Sequence, residues 1–166
     1  MLSTKPMKKP RNTKRKAAEY KRRFEIVEYT KKWAPIETKV GIRRAVAGAS
    51  WPRWHFVSFN GPHGGESRGV VDLIAIRKDH GPPCAGTKRG DALQIILIQV
   101  KGGYAAKPTA EDAKRLRIVA RRHGACDVLL ATWKKGTAAR FFSLRPRGGN
   151  GAEDWVEVAD LNEVFR

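Results

Sequence analysis

The stretch "IILIQVKGG", Ile95 to Gly103, decides how this chain folds. Its aliphatic residues run on without the polar alternation of a half-solvated strand. "ALQIILIQV" (Ala92–Val100) is apolar on both faces, which places it centrally in a sheet covered on both sides. The end of the run is different. Gln99 and Lys101 stand two positions apart, so their side chains share a face. Two glycines, Gly102 and Gly103, follow at once.

The neighbouring segments supply partners for that strand. Upstream, "VVDLIAI" (Val70–Ile76) is a second strand, with a carboxylate, Asp72, set between valine and leucine. "RKDHGPPCAGTKRGD" (Arg77–Asp91) joins the two as an exposed hairpin connection. Downstream, Thr109 is a good N-cap residue, with Asp112 three positions on as in a capping box. Ala113, Leu116, Val119 and Ala120 give that helix its buried stripe, and Gly124 is the expected stop. Its exposed side would carry Lys114, Arg115, Arg117, Arg121 and Arg122. "CDVLLATW" (Cys126–Trp133), with Cys126 as a core residue, and "ARFFSL" (Ala139–Leu144) are further strands. "WVEV" (Trp155–Val158) reads as an edge strand, and "DLNEVFR" as a short final helix.

Toward the N-terminus, the periodicity predicts a helix from Ala17 with Tyr20, Phe24 and Val27 on its apolar stripe. Pro35 ends it. A second helix covers Glu37 to Ala47, with Val40, Ala45 and Val46 as its apolar positions. "WHFVSF" (Trp54–Phe59) is a strand and "NGPHGGESRG" (Asn60–Gly69) a glycine-rich loop; Trp51 and Trp54 suit a packed corner. The result is an α/β fold: a mixed central sheet flanked by helices, with one crossover between Val100 and Asp127.

The charge points to a partner. Lys and Arg number 34 against 16 Asp and Glu, a formal net charge of +18. A surplus of this size suits a polyanion, above all nucleic acid. Residues 1–16 include Lys5, Lys8, Lys9, Arg11, Lys14, Arg15 and Lys16 with no acid among them. They bury no apolar surface, so they read as a disordered basic arm preceding a single domain over 17–166. Cys84 and Cys126 lack metal-ligand spacing. No stretch has the length of a membrane span, and the expected setting is intracellular: cytoplasmic and nucleoid-associated, or phage-encoded.

Asp72, Gln99 and Lys101 are the residues with chemistry. If the two strands lie side by side, all three converge at one sheet end. Asp72 and the Gln99 side-chain oxygen, with the Val100 carbonyl, are hard oxygen donors of the kind Mg²⁺ takes. Lys101 would stabilise charge developing on a phosphate or orient the attacking water. That set suits metal-assisted phosphodiester hydrolysis.

"GVVDLIAI" followed after a hairpin by "IILIQVKGG" resembles the core of the PD-(D/E)XK nuclease superfamily. More narrowly, "SRGVVDLIAI", "LIQVK" and "RIVARRHGACDVLLATW" resemble archaeal-type Holliday junction resolvases and their bacterial and phage relatives, over residues 54–144. The resemblance implies a restriction-endonuclease-like sheet and a Mg²⁺- or Mn²⁺-dependent endonuclease. It also implies branched DNA as substrate, a part in recombination and repair, and a homodimer. It places Asp72, Gln99 and Lys101 in the catalytic centre. Gln99 departs from the pattern, which has Glu or Asp there. The family also uses an early acid, for which Glu19, Glu25, Glu28, Glu37 and the loop residue Glu66 are the candidates; Glu66 is nearest to Asp72 in sequence. Ser67, Arg68 and Lys107 would contact the nucleic acid, along with the N-terminus of the capped helix.

Overall fold

The computed structural model describes residues 13–47, 53–59, 69–83, 85–103, 105, 107–146 and 154–165. Among the described residues, nine elements run in the order α1 (Thr13–Ala45), β1 (His55–Ser58), β2 (Leu73–Lys78), β3 (Leu93–Gly102), α2 (Ala110–His123), β4 (Asp127–Trp133), β5 (Arg140–Leu144), β6 (Trp155–Glu157) and α3 (Asn162–Phe165). The strands form one sheet in sequence order, β1-β2-β3-β4-β5-β6. Every pairing is antiparallel except β3 with β4, which is parallel. The parallel pair is joined by α2, as a crossover connection requires. This is the mixed sheet flanked by helices that the sequence predicts.

β3 is central because it has no polar face over most of its length. Ile96 and Ile98 pack with Leu73, Leu129 and Ala131 against Ile42 of α1 and Phe165 of α3. Leu97 points the other way, with Leu130 and Val128, against Ala113 and Leu116 of α2. The sheet is therefore the middle of three layers. α2 keeps its sequence signature: Thr109 accepts from the Asp112 amide and Asp112 bonds back to Thr109, while Gly124 closes the helix with φ 61°.

Helix α1 departs from expectation. It is one helix of 33 residues that runs through Pro35. The proline removes one donor, the N–H that would reach the Lys31 carbonyl, and this normally ends a helix. Packing overrides it here. Ala34, Thr38 and Ile42 are fully buried on the same side, and the Thr38 hydroxyl donates to the Ala34 carbonyl at 2.8 Å. Thr13–Lys16, read as part of the arm, form the first turn of α1; residues 1–12 lie outside the described residues.

The stripe expected to be buried on the first helix is exposed. Tyr20 is 74% exposed, Phe24 58% and Val27 48%. The packed stripe starts later, at Thr30, because the N-terminal half of α1 extends beyond the sheet. Of the apolar positions expected in the second helix, Val46 joins the core fringe, Val40 is half-buried and Ala45 is exposed. Cys126, expected in the core, is also exposed, and its thiol donates to the Ile95 carbonyl at 3.1 Å. Trp54 does pack: its ring meets Phe165 edge-on at 5.3 Å, and its Nε1 donates to the Phe165 carbonyl. Trp51 and Cys84 lie outside the described residues. No helix among the described residues is long and apolar enough to cross a membrane.

Candidate active site

The double glycine ending β3 is explained by α1. A Cβ added at Gly102 would run into Thr30 Cγ2 and stand 3.1 Å from Ala34 Cβ. Gly103 takes φ 64°, which turns the chain away from the sheet. The end of β3 is thus pinned on the α1 side by contact with the helix. Its polar side chains face the other layer.

Alternation assigns that face. Ile95 and Leu97 pack toward α2, so Gln99 and Lys101 project to the same side. Leu73 pairs with Ile98, the last pair of the β2–β3 ladder. Asp72 lies just before β2 rather than within it. Its amide donates to the Ile98 carbonyl at 3.0 Å, and its carboxylate Oδ2 accepts from the Val100 amide at 2.6 Å. The carboxylate is thereby held against the β3 backbone between Gln99 and Lys101.

Gln99 is 5% exposed, and its Oε1 has no hydrogen-bond partner among the described residues. A buried carbonyl oxygen without a donor costs about 1–3 kcal/mol. A cation is one way to satisfy it. Lys101 is half-buried and acts through space on Asp112, at the start of α2. The Thr109 backbone hydrogen bond is the main influence holding the Asp112 carboxyl below its ordinary pKa, with Lys101 and Arg115 adding to it and burial opposing.

The site's oxygen donors fit a hard cation that keeps several waters. Mg²⁺ is commonly held by one or two carboxylates together with substrate phosphate. Asp72 and Gln99 Oε1 would hold it; the Val100 amide is engaged by Asp72, and its carbonyl remains a candidate third donor. Among the described residues, no three His, Cys, Asp or Glu side chains come together as a metal cluster.

The other expected residues divide by location. Glu66, Ser67 and Arg68 lie outside the described residues. Glu19, Glu25 and Glu28 are exposed on α1, and Glu28 pairs with Lys31 at 3.4 Å. Glu37 is half-buried on the same helix, which packs on the opposite layer from Gln99 and Lys101. Lys107 stands ahead of α2 with its ammonium 5.6 Å from the Phe142 ring centroid. The helix N-terminus is occupied by its own cap, since Asp112 Oδ2 accepts from both the amide and hydroxyl of Thr109. Arg117 was expected at the surface and is not there. Its side chain is 15% exposed and pairs with Asp154, 1% exposed, at 2.7 Å.

Register also exposes residues that the sequence left unmarked. Gln99 pairs with Leu130, Leu130 with Phe142, and Phe142 with Glu157, in one row across the sheet. The next row is Lys101, Thr132, Arg140. Arg140 and Glu157 are far from Lys101 in sequence, and only strand pairing brings them onto its face.

No family model matches this chain, and no curated protein matches it. Among solved structures it is similar to Hjc of Archaeoglobus fulgidus, a Holliday junction resolvase from an archaeal hyperthermophile. The two are 19% identical, over 81% of this chain and 99% of that one, with a TM-score of 0.45. A likeness this weak carries no argument about this chain, so the functional reading rests on its own residues.

Proposed function

We propose that this protein is a metal-dependent DNA endonuclease of the resolvase type. The buried Gln99 Oε1, unpartnered among the described residues and next in sequence to the Val100 amide that Asp72 accepts, carries the reading. Lys101 on the same face adds a cation where a phosphate would develop charge, and the net charge of +18 suits a nucleic-acid substrate. A Mg²⁺ or Mn²⁺ ion bound there supplies Lewis acidity toward a phosphoryl oxygen and an activated water. Asp72 and Gln99 would hold the cation, and Lys101 would stabilise charge on the phosphate. Glu66 would supply the site's further acid, and Ser67, Arg68 and Lys107 would contact the nucleic acid. The sequence resemblance supports branched DNA as substrate and a homodimer as the working form, which would present two sites to two strands.

A second reading has its own observation. Gln99 stands where the superfamily pattern has an acid, and the described residues bring only Asp72 to the site as a carboxylate. This favours a protein that binds DNA on the same fold without cutting it.

Labelled four-way junction, flap and duplex DNA, incubated with and without Mg²⁺, separate the two. The nuclease reading expects metal-dependent cutting, strongest on the junction, that Asp72→Asn and Lys101→Ala abolish. Mg²⁺ titration by calorimetry should lose its signal in Asp72→Asn. Binding of DNA without cutting of any substrate establishes the second reading instead.

A further inference from the structure

Beyond the candidate active site, the α2 face of the sheet carries a second cluster. The Arg140 guanidinium lies 5.5 Å from the Phe142 ring centroid, and the Lys107 ammonium 5.6 Å from the same centroid. The ring is 9% exposed and fixed in the core, so it is a rigid floor beneath two cations. Arg140 Nε and NH2 donate to the two Glu157 carboxylate oxygens at 2.9 and 2.7 Å. Glu157 also feels Lys107.

This fork-on-carboxylate geometry is the one in which arginine receives a phosphate. Arg140 and Glu157 are both well exposed, at 64% and 51% of their side-chain surface, so the pair is held weakly and a stronger anion can replace the carboxylate. The position adds direction. Arg140, Thr132 and Lys101 share one register row, two strand spacings from end to end, about 9–10 Å. That is the reach from one backbone phosphate to a nearby one on the same strand.

We propose that Arg140 and Lys107, set over Phe142, form a phosphate-binding station for the nucleic-acid backbone beside the Asp72–Gln99–Lys101 site, with Glu157 holding the station in the free protein. The ligand is a phosphodiester of the strand that enters the active site. Glu157 acts as an internal competitor that lowers affinity for polyanions. The proposal rests on the nuclease reading for its substrate, and its test separates the two.

The test is fluorescence anisotropy with labelled duplex and four-way junction DNA in EDTA, titrated from low to moderate salt. Arg140→Ala should weaken binding by about tenfold and reduce the slope of log affinity against log salt by about 1. Glu157→Gln should tighten binding several-fold, a gain that misfolding cannot produce. Once Arg140→Ala is present, Glu157→Gln should add less, since only its influence on Lys107 remains. Lys88→Ala, in the hairpin at the opposite end of the sheet, controls for a general loss of charge and should leave the slope nearer to that of the unchanged protein. Unchanged affinity and slope in both Arg140→Ala and Glu157→Gln, with DNA bound by the unchanged protein, overturns the station and leaves the nuclease reading standing. Failure of the unchanged protein to bind either DNA overturns both.

Discussion

Asp72 Oδ2 accepts the Val100 amide hydrogen at 2.6 Å, across the junction between the start of β2 and the end of β3. One carboxylate thus ties two strands together at the point where the polar side chains gather. A hydrogen bond to a charged acceptor contributes about 1.5–3 kcal/mol. The same group is the site's only described carboxylate, so its structural and chemical roles separate on substitution. Asp72→Asn keeps an acceptor and loses the charge. It should cost about 1 kcal/mol in urea unfolding while abolishing the Mg²⁺-induced rise in melting temperature. Asp72→Ala should cost more in unfolding, because the Val100 amide then loses its acceptor.

Gln99→Glu adds a charge at the buried residue whose oxygen has no partner among the described residues. Without metal, a second carboxylate would then be buried at a position that is 5% exposed, close to that of Asp72, and the melting temperature should fall. Added Mg²⁺ should raise it by more than in the unchanged protein, since the second carboxylate strengthens cation binding. Thermal melts across a Mg²⁺ titration check both signs. An equal response in the two proteins would remove Gln99 from the ligand set.

Gly102→Ala drives a methyl into Thr30 Cγ2. Overpacking of this kind costs about 1–3 kcal/mol. Thr30→Ser deletes the opposing methyl and keeps the hydroxyl that donates to Ile26. The double variant should therefore recover most of the loss, measured as a coupling in a double-mutant cycle.

Arg117→Ala leaves Asp154 buried without the guanidinium 2.7 Å away. Breaking a buried pair from one side costs about 3–5 kcal/mol. The Arg117 Nε bond to the Arg145 carbonyl is lost as well, loosening the approach to β6. Chemical denaturation should show a larger loss than that of any single exposed α2 arginine, such as Arg121→Ala.

Burial pushes the Asp127 carboxyl above its ordinary pKa, against hydrogen bonds from Ser143 and the Val128 amide that pull it down. The folded chain then holds this proton to higher pH than the unfolded chain does. The associated stability is fully present below the unfolded pKa, about 3.9, and is lost as pH rises through the folded value. Asp112 runs the other way: its lowered pKa supports stability above the unfolded value, lost as pH falls through the folded one. Asp127→Asn keeps the acceptor without the charge, so it should flatten the decline on the rising side in urea unfolding curves taken from pH 3 to 8. Thr109→Ala should cost about 1 kcal/mol near neutral pH and weaken the acid-side dependence.

Local signals were legible where the chemistry is local. The doubly apolar run of β3, the capping box of α2 and the stop at Gly124 depend on neighbours a few residues apart, and they appear in the structure as read. Asp72, Gln99 and Lys101 were marked because polar groups inside apolar strands stand out, and the Asp72 carboxylate does meet the β3 backbone between the other two. Proline at 35 misled for the same reason. Its local cost is outweighed by a buried stripe whose partners lie on distant strands.

By itself, then, the sequence determined the central strand, its polar end, the capped crossover helix and the excess of positive charge, all set by periodicity and residue type. Only the tertiary structure decided which layer each helix covers, that Tyr20 and Phe24 stand in solvent, and that Arg117 is buried against Asp154. It alone aligned Lys101, Thr132 and Arg140 in one row. Such relations depend on strand register and on packing across the sheet, and no spacing along the chain encodes either.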